Sequence, residues 1–410
     1  MMATRMRFEV STRYRTFSYL LIAIGIISVL VGFFLYGARG DDHQRARFWG
    51  TLLFNSVYFL LITNAAMFLF CATSLAWAAW TLTFRRVTEA ISAAVPVIGS
   101  IAAVVLLAIV FTNQHGIYHW LDKEAVQADP ILKGKTGFLN RGFFAIWTLL
   151  AIGLWSILGY KMRQLSRELD DNPLPDAAAG RRYIFRNTVW ASLFIVWFAL
   201  TVMSTIPWLW LMSIDPHWYS TMYSWYNFAS TFVAGIALIT LFVIYLKNRG
   251  YLEYTNEEHL HDLGKFIFAF SIFWAYLWFS QYMLIWYANM PEETIYFKVR
   301  AKGVYSTWFW LMFLINFLVP LLFLMRRNPK RNYTSMAFIG TVVLVGHWMD
   351  YHQMVFASVV PDHVALNFFD IGVAAGFVGV ILLVTGNVLA KYPLVARNHP
   401  FIKESIIHHT

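Results

Sequence analysis

Ten apolar stretches, each long enough to cross a lipid bilayer, constrain this chain more than any other feature of its sequence. They occupy residues 17–36, 51–81, 91–113, 143–160, 188–212, 222–245, 266–288, 308–325, 336–356 and 368–390. About 20 apolar residues in a helix span the hydrocarbon core of a membrane. Hydrophobic residues make up 59% of the 410-residue chain and charged residues only 13%, against about 25% charged residues in soluble proteins. The sequence therefore predicts an all-α, polytopic membrane protein with ten transmembrane helices.

Basic residues are distributed unevenly between the two sides of these stretches. Segments on the side of the N-terminus hold 22 of the 32 Lys and Arg residues, and segments on the opposite side hold 10. Because Lys and Arg concentrate in cytoplasmic loops, we expect a protein of the inner (cytoplasmic) membrane with both termini in the cytoplasm. The net charge of +10 then reflects membrane topology, and it does not indicate a nucleic-acid partner.

Two outer connections carry similar short motifs. Residues 215–217 read DPH and residues 361–363 read PDH, and each motif follows a stretch with Trp near its outer end. This similarity favours two related four-helix bundles within a single membrane domain that comprises residues 1–410. The predicted bundles are residues 51–212 and 222–356, and the flanking helices are residues 17–36 and 368–390.

The cysteine and histidine content limits the cofactors that this chain can bind by itself. A single cysteine, Cys71, cannot ligate an iron–sulfur cluster or complete the motif that attaches haem c. A b-type haem needs two facing His residues within the membrane, and only His347 and, marginally, His352 lie within an apolar stretch. We therefore expect no metal centre in this chain. In electron transfer it would offer a quinone site, a proton path or a docking surface for subunits that carry the metals.

The ninth apolar stretch, residues 336–356, carries ionisable side chains well inside its ends. His347, Asp350 and Tyr351 are three and four residues apart, so they share one helix face, and His352 follows them. A charged side chain at the centre of a bilayer costs about 2.5–3.5 kcal/mol on insertion scales, so such residues are rare and usually functional. A carboxyl group buried without a cation can take up and release a proton near neutral pH. We expect a proton-conducting ladder with Asp350 as the carrier. The alternative is an Asp at the membrane interface that only caps the helix.

Further proton-path candidates lie in the connections between the stretches. They are Asp215, His217, Asp362 and His363 on the predicted outer side, and His261 and Asp262 on the predicted cytoplasmic side. The last two belong to residues 253–262, a run of acidic and His residues that could collect protons. The alternative interpretation of this run is a solvated amphipathic linker. Acidic and His residues in outer loops also follow from topology alone, because those loops are poor in Lys and Arg.

Several longer runs resemble the signatures of one protein family. They read WLMSIDPHWYST at residues 210–221, YLKNRGYLEY at 245–254, HDLGKF at 261–266, FWAYLWFSQYMLIWYANMPEET at 273–294 and YPLVARNHPFIKES at 392–405. Through them the chain resembles, over nearly its whole length, a membrane subunit of alternative complex III, a respiratory quinol:cytochrome c oxidoreductase. The resemblance is to the shorter of its two polysulfide-reductase-type (NrfD-like) subunits, the F subunit.

The resemblance implies a ten-helix protein built from two four-helix bundles and surrounded by lipids. It implies as partners a paralogous NrfD-like C subunit, a periplasmic iron–sulfur subunit and subunits that carry haem c. It places the main quinol chemistry in the C subunit and leaves this chain a proton path, a scaffold role and at most a vestigial quinone site. Family members often carry Asp beside an aromatic residue shortly before Met-Ser. Leu209 stands there in this chain, so that proton path is either missing or uses Asp215 or the Asp350 ladder.

Two alternatives from other functional classes remain open at this point. One is a proton-coupled secondary transporter, a class whose helices are usually broken by Gly or Pro near the midplane in both halves. Here Pro96, Pro207 and Pro320 lie within or near the ends of apolar stretches, where they are expected to kink helices, but not in corresponding positions of the two halves. The other alternative is a purely structural membrane anchor, in which the polar side chains only hold helices together.

Overall fold

Long helices account for most of the part of the chain that the computed structural model describes, which comprises residues 7–38, 40–171, 173–362, 364 and 366–409. We number the long helices in chain order. They are α1 (Thr12–Gly37), α2 (Asp42–Leu75), α3 (Arg85–Phe111), α4 (Arg141–Asp170), α5 (Ala177–Ile214), α6 (Met222–Asn248), α7 (Glu257–Ala288), α8 (Ser306–Leu324), α9 (Tyr333–Val359) and α10 (Phe368–Lys391). No strand occurs among the described residues, so the all-α prediction is confirmed.

Within the described residues, nine of these helices are long and apolar enough to cross a membrane. The exception is α9, which has 27 residues and is therefore long enough. Its mean hydropathy is lowered by His347, Asp350 and His352, the same residues that make this helix a functional candidate. The prediction of a membrane protein with several spanning helices is thus supported, and the crossing by α9 stays a prediction.

The centre of the helix packing is formed by α2 and α6. Helix α2 contacts α3, α5, α6, α9 and α10, and α6 also contacts α7 and α9. In the most apolar part of each helix, 94% of the residues of α2 and 83% of those of α6 are buried, against 11% in α1. Helix α1 therefore exposes most of its apolar surface, as a helix that faces lipid does.

Two long helices contain a π-helical turn just before a proline. In α5 the turn is Thr201–Thr205 and Pro207 follows, and in α8 the turn is Leu314–Leu318 and Pro320 follows. Proline lacks a backbone N–H, and its ring clashes with the carbonyl group one turn earlier in a regular helix. The wider turn accommodates that clash, so the helix continues past the proline with a local irregularity.

A buried ion pair attaches the start of α10 to α2. The guanidinium of Arg47 donates a 2.9 Å hydrogen bond to Asp370, and the hydroxyl of Thr51 donates one of 2.6 Å to the other carboxylate oxygen. Asp370 also accepts a bond from the backbone N–H of Asn367, and so caps its own helix. Breaking such a pair by removing one partner leaves a buried charge uncompensated.

Small residues allow α1 and α10 to approach each other closely. The buried residues of α1 are Ser18, Gly25 and Gly32, spaced seven apart, and they form the seam that meets α10. A Cβ atom added to Gly25 would lie 2.4 Å from the Cα atom of Gly376, a distance that no real contact tolerates. Small residues at such a crossing are a usual device for packing helices in membranes, because they let the backbones touch.

We predict that Gly376→Ala loosens this crossing, because its new Cβ would lie 2.8 Å from the Cα atom of Gly25. The expected result is a lower thermal midpoint for the protein in detergent, with a cost of about 1–3 kcal/mol, typical of overpacking. The matched control is Gly153→Ala in α4, where an added Cβ meets nothing within 4 Å. Equal midpoints for the two variants would contradict the close approach of α1 and α10.

Candidate functional site

The carboxyl group of Asp350 lies between three helices in the interior of the protein. Asp350 is on α9 and is 2% exposed. Its Oδ1 accepts a 2.5 Å hydrogen bond from the hydroxyl of Tyr226 on α6, and its Oδ2 accepts a 3.3 Å bond from the indole N–H of Trp274 on α7. The hydroxyl of Ser230 also lies close to the carboxyl group, and none of these three groups is a cation. Asp350 is therefore buried, as the sequence predicts, among neutral hydrogen-bonding groups.

His347 forms a second contact between α9 and α6, one turn along from Asp350. Its Nδ1 lies 2.9 Å from the hydroxyl oxygen of Ser230, which is one turn along α6 from Tyr226. Its ring packs edge-on against Trp274, with 5.4 Å between the ring centroids. The other ring nitrogen, Nε2, is buried and has no hydrogen-bond partner among the described residues. The imidazole therefore keeps one nitrogen available for a proton or a water molecule.

Tyr351 and His352, the other members of the predicted ladder, face different neighbours. The ring of Tyr351 lies beside Tyr58 of α2, with 5.4 Å between the centroids, and its hydroxyl has no hydrogen-bond partner in the described chain. His352 is enclosed by three aromatic rings, those of Phe54, Trp308 and Phe356. Only His347 and Asp350 therefore share partners on α6 and α7, and the four-residue ladder is reduced to two members.

A buried arginine that the sequence analysis did not identify lies at the C-terminal end of α9, which the sequence predicts to be the outer end. Arg300, in the short helix Pro291–Ala301, is 4% exposed. Its Nη2 donates to the hydroxyl of Ser358 at 2.8 Å and lies 3.6 Å from a carboxylate oxygen of Asp215. The hydroxyl of Ser358 in turn donates to that oxygen at 2.5 Å. The structure thus brings Asp215, a predicted site residue, to the end of the helix that carries Asp350.

Three tyrosines lie between this arginine and the Asp350 carboxyl group. The guanidinium of Arg300 lies 3.4 Å from the centre of the Tyr296 ring, and Tyr296 also contacts Tyr223. Burial raises the pKa of Tyr296 to about 12, against the opposing effect of Arg300, so its hydroxyl stays protonated at neutral pH. The next groups toward Asp350 are the rings of Tyr223 and Tyr226, with 6.4 Å between their centroids.

These contacts form a row of polar side chains from the outer end of α9 to its interior, which we call the outer polar series. Its members are Asp215, Ser358, Arg300, Tyr296, Tyr223, Tyr226, Asp350, His347 and Ser230. The rings of Tyr223 and Tyr226 lie side by side in this row, and a bridging water molecule could relay a proton between their hydroxyls. Between Tyr333 and His347, α9 carries no ionisable residue. Along α9, the series therefore leads from the interior toward one side of the protein only.

The remaining outer candidates lie apart from this series. His217 pairs with Asp129 of the loop between α3 and α4, and the hydrogen bond from His217 lowers the pKa of the Asp129 carboxyl group. In the same loop, Lys135 donates to the carbonyl of Pro216 at 2.5 Å. Asp362 is exposed beyond the end of α9. The last candidate, His363, lies outside the described residues.

The candidates that the sequence predicts to be cytoplasmic lie at the opposite end of the long helices. His261 and Asp262 are buried in the first two turns of α7, twelve or more residues before Trp274. Asp262 pairs with Lys265 at 2.5 Å and with His408 of the C-terminal segment at 2.6 Å. The interpretation of residues 253–262 as a solvated linker is therefore wrong for the part that opens α7. The structure does not bring these residues to Asp350.

The partners of Asp350 were hard to find from sequence because most are common residue types in apolar helices. Tyr226 and Ser230 are four residues apart on α6, and His347 and Asp350 are three apart on α9, so two matching faces exist. That spacing is a signal, but it does not tell which two helices meet. Arg300 lies outside the apolar stretches and in a segment with two other basic residues, so nothing marks it as buried.

Comparison with known proteins adds no family assignment to this geometry. Neither the models of protein families nor the curated proteins include a match to this chain. The resemblance to alternative complex III therefore remains an expectation from the sequence, and so does the absence of a metal centre.

We predict that Arg300→Gln destabilises the protein by about 2 kcal/mol, because it removes a buried charged donor from Ser358 and Asp215. The measurement is the thermal midpoint in detergent. The control is Lys298→Gln, which removes an exposed cation from the same short helix and should change stability by less than about 0.5 kcal/mol. If the two variants unfold at the same temperature, Arg300 does not hold the outer end of the series.

Proposed function

We propose that this chain is an integral membrane subunit of a respiratory quinol:cytochrome c oxidoreductase, and that it provides a proton path and a scaffold. The family resemblance of residues 210–221, 245–254, 261–266, 273–294 and 392–405 suggests the complex. The observation that carries the proton path is the buried Asp350 carboxyl group, which is bonded by neutral donors and connected to the outer end of α9. Ionisable groups inside membrane helices usually mark ion or proton pathways.

The chemistry of such a path follows from the donors and acceptors along it. Asp350 can hold a proton on either oxygen. When the protonated carboxyl group donates a hydrogen bond, the hydroxyl of Tyr226 can rotate and accept that bond. His347 lies one turn deeper, and its Nε2 is free to form a hydrogen bond with a further group or a water molecule in the interior. At the outer end, 34% of the Asp215 side chain is exposed to solvent, so the series reaches the surface there. Protons would therefore leave or enter on the outer side, as expected where quinol oxidation releases them.

The proposal includes ten transmembrane helices in two four-helix bundles. Helix α9 would be the tenth span, because the partners on α6 and α7 compensate for its polar groups. The first bundle would be α2–α5 and the second α6–α9, with α1 and α10 packed together beside them. Both termini would then lie in the cytoplasm and the outer polar series on the periplasmic side.

A quinone site in this chain receives little support from the geometry. An apolar groove of about 860 Å³ opens between α1, α2, α6, α9 and α10, wide enough for a quinone tail or an acyl chain. Two hydroxyls on its wall are already used, since Tyr58 donates to the carbonyl of Leu344 and Tyr14 to that of Leu382. The groove thus offers few polar groups for a quinone head group. We place quinol oxidation in the partner subunits, which would also carry haem c and the iron–sulfur clusters.

The transporter alternative is less well supported. The two π-helical turns with proline lie in α5 and α8, which are the fourth helix of one proposed bundle and the third of the other. An inverted or parallel repeat would place such breaks in corresponding helices.

The other alternative is a purely structural anchor. It predicts that substitutions in the outer polar series have no effect on turnover, which is testable.

The first test is purification of the full chain from its native membrane in mild detergent. If the proposal is right, subunits with haem c and quinol:cytochrome c activity copurify with it. A chain that runs alone, with no haem-bearing partner, would contradict the proposed complex.

The second test is Asp350→Asn, which keeps the shape and one hydrogen-bonding oxygen but removes the proton. We expect a fully assembled complex whose turnover falls about 10-fold or more, within the 10²–10⁴-fold range attributed to positioned proton-transfer groups. Asp42→Asn, an exposed acidic residue with 75% of its side chain accessible, is the control and should keep full activity. Unchanged turnover and pH profile in the assembled Asp350→Asn complex would leave only the scaffold role.

A further inference from the structure

A cluster of buried arginines lies at the end of the molecule opposite to the outer polar series. Arg86 pairs with Glu89 at 2.7 Å and also with Asp170. Arg163 donates to neutral groups, the hydroxyl and carbonyl of Ser92, at 3.1 and 3.2 Å. With Arg85, which also approaches Glu89, three buried guanidinium groups here share two carboxylates among the described side chains.

Arg85 borders a small pocket of about 30 Å³, and its guanidinium is incompletely paired. The pocket is also lined by Trp77, Tyr183, Asn187 and His399. The side chain of Arg85 is 5% exposed, its Nε lies 3.3 Å from Glu89, and its plane packs over the ring of Phe70. Its Nη2 is buried and has no hydrogen-bond partner among the described residues. A buried charged donor without an acceptor is costly, so this atom indicates a missing anionic group.

The other ionisable group in contact with Arg85 does not neutralise it. The Nη1 of Arg85 lies 3.3 Å from Nε2 of His399. Burial, with added repulsion from Arg85 and Arg86, lowers the pKa of His399 to about 2, so this imidazole is neutral at physiological pH. It can accept a hydrogen bond but carries no negative charge. The positive charge beside the pocket is therefore left for a ligand to compensate.

We propose that this pocket binds a phosphate group, with its oxygens accepting hydrogen bonds from Nη2 of Arg85 and from the hydroxyl of Tyr183. The planar guanidinium matches the geometry of phosphate oxygens better than that of a simple halide. The phosphate is either the head group of an anionic lipid or inorganic phosphate from solution.

The position of the pocket agrees with either source. It lies where α2 ends and α3 begins, on the side that the basic residues predict to be cytoplasmic. Trp77 at its edge is 62% exposed, as expected for a Trp side chain at the interface between lipid and water. Basic pockets between helices on this side of a membrane can hold lipid head groups.

The experiment measures the thermal midpoint of the full chain, purified with its partners and stripped of native lipid in detergent. Dioctanoyl-phosphatidylglycerol is compared with dioctanoylglycerol, which lacks the phosphate, and sodium phosphate with sodium chloride at equal ionic strength. We expect at least one phosphate-bearing probe to raise the midpoint by about 3 °C at saturation while its control does not. The probe that acts identifies the source. If neither phosphate-bearing probe acts, the proposal is wrong.

Arg85→Gln should abolish the rise, and an equal rise in this variant overturns the proposal. If Arg85→Gln does not fold, Tyr183→Phe decides, because it removes one hydroxyl only. It should weaken the apparent affinity for the active probe about 10-fold, as expected for a hydrogen bond to a charged group. An unchanged affinity would then count against the site. The control is Arg249→Gln, an exposed cation near the same end of the molecule, which should keep the full rise.

Discussion

The burial of the Asp350 carboxyl group determines how α6, α7 and α9 pack. A carboxyl group removed from water needs hydrogen-bond partners with good geometry, and here Tyr226 and Trp274 supply one each from two different helices. The contact between His347 and Ser230, one turn away, fixes the rotation of α9 against α6. A shift of α9 by a single residue would break all three contacts, so the register of these helices is specified by polar groups as well as by apolar packing.

Buried charged side chains are paired differently at the two ends of the molecule. At the outer end, Arg300 has Asp215 and neutral oxygens as partners, and the polar series continues from there to Asp350. At the other end, Arg85, Arg86 and Arg163 are buried with too few carboxylates. These three arginines also contribute to the charge asymmetry that predicts topology. They are packed between helices and are not solvated loop residues, so the charges from which the orientation is predicted also bind segments of the chain together.

The sequence predicts much of this fold because nine helices have a strong apolar signal of their own. It also predicts that Asp350 is important, because an acidic residue within an apolar stretch is unusual whatever surrounds it. It does not predict the partners, since the meeting of α9 with α6 and α7 depends on packing between segments more than 70 residues apart. The sequence spacing places Tyr351 on the same face of α9 as Asp350, but the two side chains contact different helices. His352 resembles His347 in type, yet three aromatic rings enclose it.

The central claim is that Asp350 exchanges a proton with the outer side, and infrared difference spectroscopy tests it most directly. Spectra recorded across a pH step on the assembled protein should contain the C=O stretching band of a protonated carboxyl group that changes with pH and shifts in D₂O. If Asp350 is the proton carrier, that band is present in the wild type and absent in Asp350→Asn. A wild-type spectrum without such a band, or an identical band in the Asn variant, would contradict the claim.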